Sequence, residues 1–396
     1  MLKKVLFKIS YVSAGNGFNA LLGFFFLTAV AREVTVEQFG KYALLTSILV
    51  ALSKVMDFGT NSNYVAKSIA TAKDLKDDFV SLKVFLFITA SILAICILLA
   101  FKITEPTILI TFFIGLVGYC INSTLFPFFH KLERFGLALS LNSIPAAIKG
   151  LVALLIYLKI LTLDFNQLFM VFCFAMLFSV ILFWALPTDL RSFKITFKHL
   201  ARYLKETAPA GIALVVNNGW SAVANTLAKI IRGYADVGVF SLADKMSNVF
   251  NLISVSIFTV LLPKSSKRKR ENLKHDVFEI LFLSAAIMTT AIIVSTIAPV
   301  FIRLTFANKY NASIGLLTTM IFASAIISIQ SFMENYFFAE NKTPLLAKIA
   351  VFKIILLVGL FGAFVSSFGI YGLALAELFA AIAGLFLTIY AIRSVF

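Results

Sequence analysis

Three apolar runs, Tyr11 to Ala31, Leu82 to Phe101 and Thr107 to Phe129, open a series of about twelve that continues down the whole chain. A hydrocarbon core of about 30 Å is crossed by about 20 apolar residues in a helix, and the runs have that length. Lipid offers the backbone no hydrogen-bonding partner, so runs of this kind fold as helices. The expected fold is therefore an all-α membrane protein with about twelve transmembrane helices. Their bounds read as 10–31, 39–58, 82–101, 107–129, 138–159, 166–186, 208–230, 237–262, 277–302, 312–338, 345–366 and 370–392. With 60% hydrophobic and 14% charged residues in a chain of 396, no sizeable soluble domain fits.

The net charge of +16 would by itself suggest a nucleic-acid partner. Placing the charges on alternate loops changes that reading. Lys3, Lys4, Lys8, the 59–81 loop with Lys83, and the loops near 131, 191–205, 264–274 and 342–348 fall on one side with Arg393. That side holds 23 of the 35 Lys and Arg, the other eight. By the positive-inside rule both termini are cytoplasmic, and the basic charge marks topology; no nucleic acid is expected. The N-terminal run ending in Ala29-Val30-Ala31 imitates a signal peptide, but its length is that of a span.

Cys96, Cys120 and Cys173 lie inside spans, and His130, His199 and His275 stand singly in loops, so neither a disulfide framework nor a metal site is expected. A phosphate-binding loop ending in Lys-Ser or Lys-Thr, a His-Glu-x-x-His pair and a Gly-x-Ser-x-Gly elbow are all missing from the sequence. No cofactor is expected beyond a coupling proton or sodium ion.

The basic stretch from Pro187 to Thr207 divides the chain into residues 1–186 and 208–396, a six-helix bundle each. Within it Leu190, Phe193, Phe197, Leu200 and Leu204 alternate with Arg191, Lys194, Lys198, Arg202 and Lys205. The spacing predicts an amphipathic linker helix on the anionic inner leaflet. A shift of 198 residues superimposes Phe39-Gly40-Lys41-Tyr42 on Val237-Gly238-Val239-Phe240, and Asn19 on Asn217. It pairs span 1 with span 7 and span 2 with span 8, as a parallel internal repeat requires.

Eight ionisable residues fall inside spans: Lys54, Asp57, Lys149, Asp244, Lys245, Glu334, Lys353 and Glu377. Each costs at least about 2.5 kcal/mol at the bilayer centre, so such groups face a cavity or pair with one another; Lys54 and Asp57 also lie within snorkelling reach of the interface. Span 8 carries Ser241, Asp244, Ser247, Asn248, Asn251 and Ser254 at intervals of three and four, which puts them on one face. Span 7 offers Asn217, Ser221 and Asn225, with Asn218 and Trp220 beside them; span 1 offers Asn16 and Asn19. Single Asn and Ser residues serve equally as interhelical glue. A stripe this long points to the wall of a water-filled cavity.

Several segments resemble the multidrug/oligosaccharidyl-lipid/polysaccharide exporter superfamily, and within it the Wzx-type polysaccharide-unit flippases. They are Ala31-Arg32 followed by Val36-Glu37-Gln38-Phe39-Gly40-Lys41-Tyr42, and Asp57-Phe58-Gly59. Val237 to Ala243, Leu262-Pro263, and Phe368-Gly369-Ile370-Tyr371-Gly372-Leu373-Ala374 resemble it too. The chain departs from the pattern at Leu373, where a small residue is commoner, and in lacking an arginine-rich span 2.

The resemblance implies two six-helix bundles in a V that opens alternately to each side, with spans 1, 2, 7 and 8 lining the cavity. The implied cargo is an undecaprenyl-pyrophosphate-linked oligosaccharide crossing a bacterial inner membrane, with a polysaccharide polymerase and a chain-length regulator as candidate protein partners. Under it Lys54, Lys149, Lys245 and Lys353 would neutralise the pyrophosphate, while Asn217, Asn218, Trp220, Asn248 and Asn251 would contact sugars. Asp57, Asp244 and Glu334 would carry the coupling ion. Asp244 and Lys245 are neighbours about 100° apart on a helix, so no direct pair between them is expected.

A cation-coupled drug antiporter of the same superfamily is the nearest alternative; its cavity would be net acidic. A major-facilitator transporter would carry a Gly-x-x-x-Asp-Arg run after span 2, which Asp57 to Ser62 does not fit. A membrane polymerase or ligase would need a long external loop, and a scaffold would need no polar stripe.

Overall fold

A computed structural model gives the structure and describes residues 2–71, 74–196, 198–248, 277–306, 308–334, 337 and 343–393. Regular structure among them is helical throughout. In chain order the helices are α1 (Leu2–Glu33), α2 (Val36–Asp57), α3 (Thr60–Thr71), α4 (Lys76–Ala100), α5 (Pro106–Lys131), α6 (Phe135–Tyr157) and α7 (Phe165–Leu177). They continue with α8 (Thr188–Arg191), α9 (Leu200–Ile231), α10 (Tyr234–Ser247), α11 (Val277–Phe306), α12 (Asn311–Met333), α13 (Thr343–Phe368) and α14 (Ile370–Arg393). Ten helical segments among the described residues are long and apolar enough to cross a membrane. The 32-residue α9, more polar, and α10, described to Ser247, stand where spans 7 and 8 are expected. This is a multi-pass membrane protein.

The chain forms two units, Met1–Val34 with Leu45–Gly219, and Thr35–Leu44 with Trp220–Phe396. The division differs from the expected cut at 187–207, because the first residues of α2 belong to the second unit and the first twenty of α9 to the first.

In the first unit α1 packs on α6, and α5 on α7, α6 and α3. Glycine sets the closest approach: a Cβ on Gly118 would stand 2.8 Å from the Leu177 nitrogen, and one on Gly115 2.8 Å from Cys173 Sγ. An aromatic knot joins α3, α4 and α5, with the Tyr64 ring stacked on Phe79 at 4.4 Å and Phe128 edge-on to both. In the second unit α14 packs on α13 and α12, and α12 on α10 and α11.

Two connections differ from expectation. The 59–81 loop contains α3, and Asp77 and Asp78 stand in the first turn of α4, where carboxylates favour a helix start. Lys83 is thereby two turns inside the bundle and 1% exposed, not on a cytoplasmic loop. Nor do residues 187–207 form one amphipathic helix. After the short α8 the backbone at 192–196 leaves the helix, and Asp77 Oδ1 and Ser81 Oγ accept the backbone N–H groups of Lys194 (3.0 Å) and Thr196 (2.7 Å). Residues 200–207 are the first two turns of α9. Just before this strap, Phe178–Ala185 tightens to a 3-10 helix. Its last carbonyls are capped by Arg191, bonded to Trp184 and Leu186, and by Arg134, bonded to Ala185. The expected cytoplasmic loop 263–276 lies outside the described residues.

Candidate functional site

Buried charge gathers at two places, one in each unit. In the first unit α2 ends where Phe58 and Gly59 take positive φ, 41° and 71°. The exposed carbonyls at that break need a donor. Lys83 supplies it: its Nζ donates to the Met56 carbonyl at 3.1 Å, stands 3.9 Å from Asp57 Oδ1 and 5.4 Å from the Phe79 ring centroid. Asp57 in turn accepts the Asn61 backbone N–H at 3.2 Å, so it caps α3 as well as facing the lysine. Lys54, half-buried one turn earlier, interacts electrostatically with Lys83. Lys149 on α6 is half-buried with its Nζ 5.1 Å from the Phe172 ring centroid. Lys54 and Lys83 outnumber Asp57 at this break, and Lys149 adds a further cation in the same unit.

The second unit is organised around carboxylates. Asp244 on α10 is 3% exposed and accepts from Ser221 Oγ on α9 and Asn248 Nδ2, both at 2.9 Å. Lys245 Nζ reaches Asp244 Oδ2 at 3.8 Å. This corrects the expectation of no direct pair: the side chains leave the helix 100° apart, but the lysine stem is long enough to fold back. Glu377 on α14, 4% exposed, accepts from Trp220 Nε1 at 2.6 Å through one oxygen, while its Oε2 is buried with no hydrogen-bond partner among the described residues. Lys353 on α13 donates to Gln330 Oε1 at 3.0 Å and lies 5.7 Å from the Trp220 ring centroid. Gln330 Nε2 completes the chain to Glu334 at 3.0 Å. The charges of Glu334 and Glu377 both act on Lys353, and those of Asp244 and Glu377 on each other. Gly384 makes this arrangement possible, since a Cβ there would stand 2.6 Å from Lys353 Cδ and 2.9 Å from Gln330 Oε1.

The structure thus brings Trp220, Asp244, Lys245, Asn248, Glu334 and Lys353 into one unit and Lys54, Asp57 and Lys149 into the other. Asn218 joins neither cluster: it is exposed and donates to Leu214 O of its own helix at 2.8 Å. The Asn217 side chain and all of Asn251 and Ser254 lie outside the described residues. Part of the span 8 stripe is glue rather than cavity wall. Ser241 bonds Asn225 at 2.7 Å and Ser247 is bonded by Ser324 at 3.1 Å, with both stripe serines buried. Sequence reasoning gave Glu377 no role and put Lys83 in a loop. Asp77-Asp78 six and five residues before Lys83 is the signal that would have placed it inside a helix.

The fold is that of the multidrug/oligosaccharidyl-lipid/polysaccharide exporter superfamily. The chain is similar to the lipid II flippase MurJ in an inward closed conformation, with TM-score 0.76, 16% identity, and 97% of this chain and 87% of that one covered. It is also similar to an inward-facing multidrug resistance MATE family transporter of that superfamily (TM-score 0.72, 14% identity, 95% of each chain). A mutant form of the Vibrio cholerae MATE transporter VcmN aligns with TM-score 0.63 at 13% identity over 99% of this chain and 98% of that one. Residues 5–269 match the family model described as polysaccharide biosynthesis protein, and the chain belongs to that family. No curated protein matches it.

Proposed function

We propose that the protein is a transporter, not an enzyme, which flips undecaprenyl-pyrophosphate-linked oligosaccharide units from the cytoplasmic to the outer leaflet of a bacterial inner membrane. Both termini are cytoplasmic in this reading, and transport is coupled to a proton or sodium ion. The observation that carries it is the division of buried charge. Beside the Lys83–Asp57 pair, Lys54 and Lys149 give the first unit an excess of cations suited to a pyrophosphate, while Asp244, Glu334 and Glu377 give the second an excess of carboxyls suited to a small cation. Family membership in polysaccharide biosynthesis supports the cargo class. In this reading Trp220, whose N–H is taken by Glu377, offers its ring face to a sugar, and Asn248 offers its amide.

Deleting the gene tests the reading. Lipid-linked repeat units should accumulate on the inner leaflet and a surface polysaccharide should disappear. A strain that keeps its full polysaccharide, with no second flippase gene, contradicts it; unchanged polysaccharide with raised sensitivity to organic cations would instead favour the drug antiporter.

A further inference from the structure

The span Phe165–Ala185 finishes as a 3-10 helix, Phe178–Ala185, a winding in which runs beyond three or four residues are uncommon. Three residues per turn eclipses positions i and i+3, whereas an α-helix would fan them out by about 60° a step. The side chains are thereby sorted into rows. Ser179 is buried, and Leu182 and Ala185 of the same row pack on the aromatic core of the first unit. Phe178, Ile181 and Trp184 make a second row, 48%, 57% and 71% exposed. At about 2 Å per residue this row is a straight apolar ridge about 12 Å long, close to the hydrocarbon depth of one leaflet, about 15 Å.

The ridge ends at two arginines. Arg191 donates through Nη2 to Trp184 O (2.6 Å) and through Nε to Leu186 O (2.8 Å), with its guanidinium carbon 5.6 Å from the Trp184 ring centroid. Arg134, in the turn after the span Pro106–Lys131, donates through Nη1 to Ala185 O at 3.1 Å. Both groups are fixed on consecutive carbonyls, and among the described residues neither has a carboxylate partner. Nη1 of Arg191 and Nε and Nη2 of Arg134 remain as donors. Beside them Asp77 holds the Lys194 backbone N–H and leaves Phe193 and Ile195 exposed. Lys131, Arg134, Arg191 and Lys194 outnumber the exposed Glu133 and Asp189 on these two stretches.

We infer that Arg134 and Arg191 bind the phosphate of an anionic glycerophospholipid whose acyl chain lies along Phe178, Ile181 and Trp184. The inference goes beyond the transporter reading and does not depend on the cargo. A free phosphate would leave the ridge uncovered. A pyrophosphate-linked lipid would bring a second phosphate, whereas three donor nitrogens on two fixed guanidiniums match a single phosphodiester. Trp and Phe beside Arg and Lys at the end of a span are the side chains that an anionic leaflet surface holds.

The chain has two tryptophans, so Trp220→Phe leaves Trp184 as the sole indole. Full-length Trp220→Phe protein in nonionic detergent is titrated with phosphatidylglycerol or phosphatidylcholine carrying brominated acyl chains, which quench an indole that they touch. Should that variant fail to accumulate, the quenching that Trp184→Phe removes from the wild type reads the same site. Half-quenching should come at a phosphatidylglycerol concentration at least about fivefold below that of phosphatidylcholine, and added salt should narrow the gap. Arg134→Gln and Arg191→Gln should each raise the phosphatidylglycerol value about fivefold and leave that of phosphatidylcholine unchanged, a selectivity that loss of the carbonyl caps alone would not produce. Ile181→Ser should weaken both lipids alike. Arg32→Gln removes a guanidinium 5.5 Å from the Tyr157 ring of the same unit and should change neither. Equal quenching by the two lipids would overturn the inference, and this comparison decides even where the arginine variants do not fold. Wild-type phosphatidylglycerol quenching in both arginine variants would overturn it too. So would displacement of the quencher by inorganic phosphate, or by undecaprenyl pyrophosphate at a lower concentration than unbrominated phosphatidylglycerol needs, the last assigning the site to the cargo.

Discussion

The two units are built from the same kind of apolar helix, yet they handle buried charge in opposite ways. The first holds Lys54, Lys83 and Lys149 against Asp57; the second holds Asp244, Glu334 and Glu377 against Lys245 and Lys353. In the first unit the best-buried charge, Lys83, is tied to backbone at the end of α2. In the second, side chains bond one another in a chain from Lys353 through Gln330 to Glu334, and Glu377 keeps one oxygen without a hydrogen bond among the described residues. Charge tied to backbone shapes the fold, whereas charge held by other side chains forms a network whose members depend on one another.

That contrast sets the size of the expected mutational effects. Lys353→Ala should be the most damaging: it strips the cation from Glu334 and Glu377 and leaves Gln330 Oε1 unpaired, a loss of about 3–5 kcal/mol. Thermal unfolding in detergent measures it, and adding Glu377→Gln should restore part of the stability. If the double variant is no more stable than the single, the carboxyl cluster is not what Lys353 compensates. Lys83→Met keeps most of the volume and loses the charged hydrogen bond to Met56 O, so about 2 kcal/mol is expected. The same melting experiment measures it, and in cells surface polysaccharide should fall in proportion to protein abundance, as for a residue that shapes the fold.

The smallest effect belongs to the surface. Glu206 is bonded by Lys67 and by Arg202 at 3.2 Å, and the Lys67 hydrogen bond, foremost, holds its carboxyl below the usual carboxylate range. A depressed folded-state pKa stabilises above the unfolded value and is lost as pH falls through the folded one. Lys67→Gln should therefore lower stability slightly near neutral pH, by less than about 1 kcal/mol, and not at all once Glu206 is protonated. A difference that persisted in acid would assign Lys67 a packing role against the Tyr203 ring, 5.1 Å away.

The spans, and with them the fold class, were legible because a helix that faces lipid on one side and apolar neighbours on the other leaves a run of about 20 apolar residues whatever its detailed packing. Short amphipathic segments left no such mark. The pattern at 187–207 has helical spacing, yet Asp77 and Ser81, more than a hundred residues away, take the backbone N–H groups of Lys194 and Thr196 out of a helix. Long-range acceptors of this kind cannot be read from local periodicity. The candidate site was half legible. Asp244, Lys353 and Glu334 announce themselves as ionisable residues in apolar runs, but the stripe on span 8 does not reveal that Ser241 and Ser247 face neighbouring helices. Glu377 gains its interest only from Trp220 and Lys353, which the fold brings to it.

In the proposed function the first unit takes the anionic head group and the second the coupling cation. Titrating purified protein in detergent with undecaprenyl pyrophosphate, the cargo without its sugars, tests it most directly when wild type is compared with Lys54→Gln, Lys149→Gln and Glu377→Gln. The two lysine variants should each weaken binding by about tenfold, with a shallower loss of affinity as salt rises, and Glu377→Gln should leave it within about twofold of wild type at neutral pH. Wild-type affinity in both lysine variants, or an equal loss in the glutamate variant, would contradict the division of labour between the two units.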